Sequence, residues 1–397
     1  MPISFDLTAE QKEMLEKIRK FAREELIPWA DKSDRERRIP RELIEKMCKP
    51  PYSIPAIWIP KQYGGLELSR VSTTLLSEEV GYALTPALTF IEVSLLGTFP
   101  LIVAGSEEQK KKYLTRIAEG KAITAYALTD EGSGSDVIGG MNTRAEKVGD
   151  EYVLNGRKRW ISYADIADII IVFAKTDPAK GSRGISAFIV EKDTPGFTLV
   201  RPERCIGVRG HHAWEIAFKD CRIPKENLIG GEGSGIRIAL MTLDDSRISL
   251  AAGNVGIAKA ALDCALKFAA ERKVFGKPLS EYQAISFALA DIATRIEAAR
   301  LLVWKAAWLC DAGFCGAKGS PIRHSKETAM AKLFACETAV KAADVAMNIL
   351  GGYGVTEDYP VERYLRDAKA YIPAQGTSEV QRLIISRFLF RELEGKK

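Results

Sequence analysis

The chain has 397 residues, of which 46% are hydrophobic and 27% charged, with a net charge of +5. This describes a globular, soluble protein with core enough for two or three domains, and the interspersed charges do not point to nucleic acid. No run of about eighteen apolar residues suggests a membrane span, and the start, Met1 to Asp6, lacks the basic and apolar regions of a signal peptide, so a cytoplasmic protein is expected.

From Thr8 to about Ala30 the residues Met14, Leu15, Ile18, Phe21, Ala22 and Leu26 fall on one helical stripe, and Thr8 with Gln11 forms a capping-box start. A second helix begins near Pro40 and is cut by Pro50-Pro51 and Pro55. Further helical stretches cover 71–82, 87–103 and 107–118, so residues 1–120 read as an all-helical domain. Between 121 and 232 the period changes. Short β-branched and aromatic runs at 123–128, 151–154, 168–174, 184–190 and 214–218 predict a β-barrel or sandwich, with Asn155-Gly156 as a hairpin turn. Helical periodicity returns over 233–397, broken at Gly276-Lys277-Pro278, at a loop over 313–321 and at Gly351 to Gly354. The expected fold class is therefore α+β, with a helical domain, a β-domain and a C-terminal helical bundle.

Seven cysteines (Cys48, Cys205, Cys221, Cys264, Cys310, Cys315, Cys336) without C-x-x-C spacing read as reduced thiols. Three histidines argue against a zinc site built on His, and no metal is expected. Two of them, His211 and His212, fall in a loop read as surface.

Leu128-Thr129-Asp130-Glu131-Gly132-Ser133-Gly134-Ser135-Asp136 ends a strand and is dense in glycine and hydroxyls, a composition suited to phosphates or the polar edge of a ring system. It lacks the Lys of a P-loop, and no G-x-G-x-x-G follows a strand. Near the C-terminus, Pro373-Ala374-Gln375-Gly376-Thr377-Ser378-Glu379 reads as a loop feeding a helix capped by Thr377 or Ser378.

With Trp160-Ile161-Ser162, Arg272 to Lys277, Gln283 and Leu350 to Gly354, these stretches resemble the acyl-CoA dehydrogenase family along nearly the whole chain. The resemblance implies an FAD enzyme, usually a homotetramer, that oxidises acyl-CoA thioesters and passes electrons to an electron-transferring flavoprotein. It implies a C-terminal four-helix bundle. By the same resemblance Leu128, Thr129 and Ser135 line the flavin, Ser135 facing substrate as well, while Trp160 and Ser162 meet the flavin ring. Arg272, Phe275, Gln283, Asn348, Gly351 and Gly352 bind FAD from a neighbouring subunit, and Thr377 and Glu379 reach its adenosine end. Asp244 and Arg247 match an Asp-x-x-Arg that contacts CoA; read from spacing alone they are an i,i+3 surface pair. Ser162 replaces the family's usual Thr, and Asn348 a common Gln.

The family's base is usually a Glu immediately before Gly-Thr-Ser, the place of Gln375, or in another branch the residue before the Arg of Asp-x-x-Arg, here Ser246. Neither side chain can take a proton from carbon. Three explanations stay open. The base has moved to Glu92, a carboxylate in an apolar helical run, as in the branch acting on cyclohexene-carboxyl-CoA thioesters. The protein binds flavin and acyl-CoA but does different chemistry or none. Or it is a straight-chain dehydrogenase whose base has been substituted.

Overall fold

The computed structural model describes residues 6–132, 134–314 and 324–395. The start of the chain, Ser133 of the glycine-rich loop, Cys315 and most of the 313–321 loop lie outside the described residues.

The first helices follow their sequence signals. In α1 (Ala9–Phe21) the Thr8 hydroxyl accepts from the Gln11 N–H while the Gln11 side chain accepts from the Thr8 N–H, the reciprocal cap expected of this pair. After α2 (Ala30–Glu36) and α3 (Arg41–Cys48), the proline-rich connection leads into α4 (Arg70–Ala83), which Ser69 caps. Next comes α5 (Thr85–Ala104), with buried residues on every side. A helix apolar all round must sit inside the protein, and α5 does. Two short segments, α6 (Glu107–Gln109) and α7 (Thr115–Ala118), close this part.

The middle of the chain forms one mixed sheet of β1 (Thr124–Ala127), β2 (Arg144–Val148), β3 (Glu151–Ser162), β4 (Ile169–Lys175), β5 (Ile185–Glu191), β6 (Phe197–Pro202), β7 (Ala213–Pro224) and β8 (Leu228–Ile229). The order is β6-β7-β3-β2-β4-β5-β8, with β1 parallel to β4. The hairpin expected at Asn155-Gly156 is not there. β3 runs straight through that dipeptide, and the register against β7 slips between Leu154 and Gly156, so the pair marks a bulge. The β2–β3 turn falls at Gly149, where φ is +62°, and Val148 pairs with Glu151.

Five helices complete the chain: α8 (Gly235–Glu271), α9 (Gln283–Leu309), α10 (Ser325–Leu350), α11 (Val361–Tyr371) and α12 (Ser378–Leu393). A two-stranded ribbon, β9 (Lys273–Val274) with β10 (Lys277–Pro278), separates α8 from α9. Both α5 and α8 are long and apolar enough to cross a membrane, contrary to the expectation that no such run exists, but 78% of each apolar window is buried inside the protein. They are core helices by burial. Cys310 is disulfide-bonded, whereas Cys48, Cys205, Cys221, Cys264 and Cys336 are free as expected.

Glycine sets how closely α4 lies against α8. A Cβ on Gly256 would stand 2.0 Å from the Glu78 carbonyl oxygen, and one on Gly81 would stand 2.2 Å from that of Gly253. Such contact leaves no room for a side chain, and overpacking of this kind costs about 1–3 kcal/mol or more. Gly256→Val is therefore expected to lower the urea unfolding midpoint by that equivalent; an unchanged midpoint would contradict the packing described.

Candidate active site

The stretch before α12 is held in an uncommon backbone shape. Gln375 has φ +54° and Gly376 φ +102°, and a Cβ on Gly376 would meet the Gln381 amide nitrogen at 2.7 Å. Buried donors fasten the turn. Lys332 Nζ donates to the carbonyls of Ile372 and Gly376 at 2.7 and 2.9 Å, Gln381 Nε2 donates to that of Gly376 at 2.9 Å, and Arg247 Nε donates to that of Gln375 at 3.1 Å. Thr377, the expected cap, accepts from the Val380 N–H and starts α12.

These constraints aim the Gln375 side chain. Ser246 Oγ donates to its Oε1 at 2.9 Å, and its Nε2 donates to Glu92 Oε2 at 2.7 Å. Both positions where the family resemblance places a base thus end in hydrogen bonds that lead to one carboxylate. Glu92 is 3% exposed, and its Oε1 makes no hydrogen bond among the described residues. Burial, with a smaller contribution from the negative charge of Asp245, pushes its pKa up to about 8 against the opposing influence of Ser249 and Gln375. Ser249 is itself bonded to Ser77 at 2.7 Å, and Asp245 pairs with Arg70 at 2.6 Å.

Asp244 and Arg247 are not a surface pair. They are buried, 2.9 Å apart, with Ser325 Oγ donating to Asp244 Oδ2 at 2.6 Å. Arg247, held by Asp244, thereby supports the Gln375 turn. Sequence reading missed Ser249, Asp245 and Lys332. Only Lys332 left a signal, as a lone cation in the run Ala329 to Ala335, where it is fully buried.

The expected flavin side forms a separate cluster. The end of β1 joins β3 through an isolated bridge between Asp130 and Lys158, and the Arg159 N–H donates to the Thr129 carbonyl at 3.0 Å. Lys158 is buried, its Nζ 2.5 Å from Asp130 Oδ1 and 2.9 Å from the Leu128 carbonyl. Burial presses its pKa down to about 8 although Asp130 opposes the shift. The other Asp130 oxygen accepts from the Asn142 and Thr143 N–H groups, both at 2.6 Å, so one buried pair ties both ends of the glycine-rich loop to β3. Ser135 stands exposed on that loop. Trp160 holds φ +57° and leaves 49% of its surface exposed, with Arg159 over its ring at 4.9 Å. A half-exposed indole on strained backbone, beside Leu128, Thr129 and Ser162, suits a flat ring system, so these residues fit a flavin.

The residues expected to hold FAD from another subunit are placed elsewhere. Arg272 lies over the Tyr353 ring at 5.7 Å, near Gly351 and Gly352, which have nothing within 4 Å of where a Cβ would be. Phe275 is 94% exposed, and Gln283, Asn348 and Glu379 are also exposed. No hydrogen bond or ring contact among the described residues joins this group to Trp160. His211 and His212 are half-buried rather than surface. His212 Nδ1 lies 2.8 Å from Asp165 Oδ2, and His211 Nδ1 faces the Val208 carbonyl.

A buried glutamate in an apolar helix, with a half-exposed indole in a separate cluster at a strand end, fits a flavin-dependent oxidoreductase of acyl thioesters. Family models for the acyl-CoA dehydrogenase N-terminal, middle and C-terminal domains match residues 8–121, 125–221 and 233–390. The chain is 45% identical to an acyl-CoA dehydrogenase of Bacillus subtilis over 385 residues, 96% of this chain and 98% of the relative. Butyryl-CoA dehydrogenase from Megasphaera elsdenii superposes with a TM-score of 0.92 at 38% identity, covering 98% of this chain and all of that one. A chain in a structure described as the electron transferring flavoprotein of Acidaminococcus fermentans matches with a TM-score of 0.92 at 41% identity, over 98% of this chain and all of the other. The chain belongs to the acyl-CoA dehydrogenase family, and it is an FAD-dependent enzyme.

Lys158→Met leaves Asp130 buried without its cation, a loss of about 3–5 kcal/mol at the loop anchor. The variant is expected to shed FAD on gel filtration while its far-ultraviolet circular dichroism stays helical. Full retention of yellow flavin would contradict the anchoring role.

Proposed function

We propose that this enzyme dehydrogenates an acyl-CoA thioester with Glu92 as the proton acceptor, and that the acyl group is cyclic, of the cyclohex-1-ene-1-carboxyl type. The observation that carries the reading is the convergence of Gln375 and Ser246 on Glu92. FAD, held by Leu128, Thr129, Trp160 and Ser162, supplies hydride acceptance when bound. Glu92 supplies the complementary event, removal of a proton from an acyl carbon at its unpartnered Oε1. A carboxylate with its pKa near 8 is a far stronger base than an ordinary glutamate and still ionises within reach of neutrality. Its burial keeps it from bulk water. The cyclic acyl group is supported by the likeness to the family branch that lacks the usual base and carries an acidic residue in this helical region.

The fit between amide and carboxylate also favours a native pair over a straight-chain enzyme with a substituted base. A glutamate at position 375 would set two carboxylates 2.7 Å apart, which cannot both ionise.

Electron-transferring flavoprotein is the proposed acceptor, supported by the likeness to the Acidaminococcus fermentans chain. A homotetramer is proposed from the apolar residues that the single chain leaves uncovered: Leu383, Leu389, Phe390 and Leu393 on α12, and Phe275.

Anaerobic mixing with straight-chain and cyclohex-1-ene-1-carboxyl CoA esters tests the reading. Flavin absorbance should bleach with the cyclic ester, at a rate that rises with pH through about 8 as Glu92 loses its proton. Glu92→Gln should slow bleaching by roughly 10²- to 10⁴-fold. Undiminished bleaching in the variant would exclude Glu92 as the base, and no bleaching with any ester would leave a binding protein without dehydrogenase activity.

A further inference from the structure

We propose that Gln375 and Ser246 are positioning residues that act through Glu92: the chain from the Ser246 hydroxyl through the Gln375 amide to Glu92 Oε2 occupies one carboxylate oxygen and reserves Oε1 for the proton. This deepens the reading of Glu92 as base and rests on it.

The direction of the amide follows from its partners. Ser246 has a hydroxyl hydrogen to give, and the Gln375 oxygen accepts it at 2.9 Å. That leaves Nε2, with its two hydrogens, to face Glu92 at 2.7 Å. A reversed amide would set its oxygen against a carboxylate oxygen, so Glu92 in its charged form decides the direction. The backbone that carries the amide is fixed, since the Gln375 carbonyl accepts from Arg247 and the Gly376 carbonyl from Lys332 and Gln381, all three of them buried.

An N–H directed at a carboxylate favours its charged form, so the amide offsets part of the cost of burying Glu92. The other charged or titratable groups around Glu92 are Asp245 on α8 with its partner Arg70 on α4, Cys336 on α10 and Tyr371 at the end of α11. Cys336 and Tyr371 are neutral through the neutral range, because burial raises the pKa of each: Cys336 to about 11, and Tyr371 well above its ordinary value. Asp245 acts on Glu92 with the opposite sign to the amide, which separates the two influences.

The test is a titration of the buried carboxylic acid by its C=O stretch in difference infrared spectra of FAD-loaded enzyme, with the band assigned by its loss in Glu92→Gln. Gln375→Met removes the donor and is expected to raise the Glu92 midpoint by about one unit. Ser246→Ala, which deletes a single oxygen, should raise it less. Asp245→Asn should lower it. A midpoint unmoved in Gln375→Met overturns the proposal, and if that variant does not fold, an unmoved midpoint in Ser246→Ala does so instead. The readout needs no turnover, so it is independent of the bleaching assay: undiminished bleaching in Glu92→Gln defeats the base assignment, whereas an unmoved midpoint alongside lost bleaching defeats only the positioning role.

Discussion

The hydrogen bond from the Gln375 amide to Glu92 is the interaction around which the helical junction of the molecule is arranged. A carboxyl group with about 3% exposure keeps its charge only with help from a donor beside it, and the Gln375 amide is that donor. The donor is held in place by a left-handed turn, the turn by three buried side chains, and those side chains by α8, α10 and α12. The close glycine contacts between α4 and α8 keep Ser77 against Ser249, and Ser249 beside Glu92. The helical packing and the chemistry of the carboxylate are thus one problem, solved by the same residues.

The glycine-rich loop at the edge of the sheet is organised by a different buried charge. Lys158 and Asp130 satisfy each other and then spend their remaining hydrogen-bonding capacity on backbone groups at the two ends of the glycine-rich loop. Few stabilising gains come from such a pair in isolation, because desolvation of both ions opposes their attraction. What it supplies is a fixed loop start near Trp160, whose backbone is left-handed and whose ring is half-exposed.

Much of this was legible in the sequence where a local rule dominates. Helical stripes, the Thr8–Gln11 cap and the Thr377 cap follow from nearest-neighbour physics, and the structure contains them. Glu92 stood out because a charge within an apolar helix needs a reason. Asn155-Gly156 misled because a dipeptide that suits a tight turn suits a bulge equally well, and only pairing with β7 decides between them. Asp244 and Arg247 carry no mark of burial in their spacing. Ser246 and Gln375 lie 129 positions apart and read separately as lost bases; their meaning as links to Glu92 exists only in three dimensions.

A crystal structure of the FAD-loaded enzyme with cyclohex-1-ene-1-carboxyl-CoA tests the central claim most directly, since it places the acyl carbons against the carboxylate. The account predicts Glu92 Oε1 facing a ring C–H, with the Gln375 amide still bonded to Oε2. A ring that lies away from Glu92, or an amide turned from Glu92 toward the thioester, would contradict it.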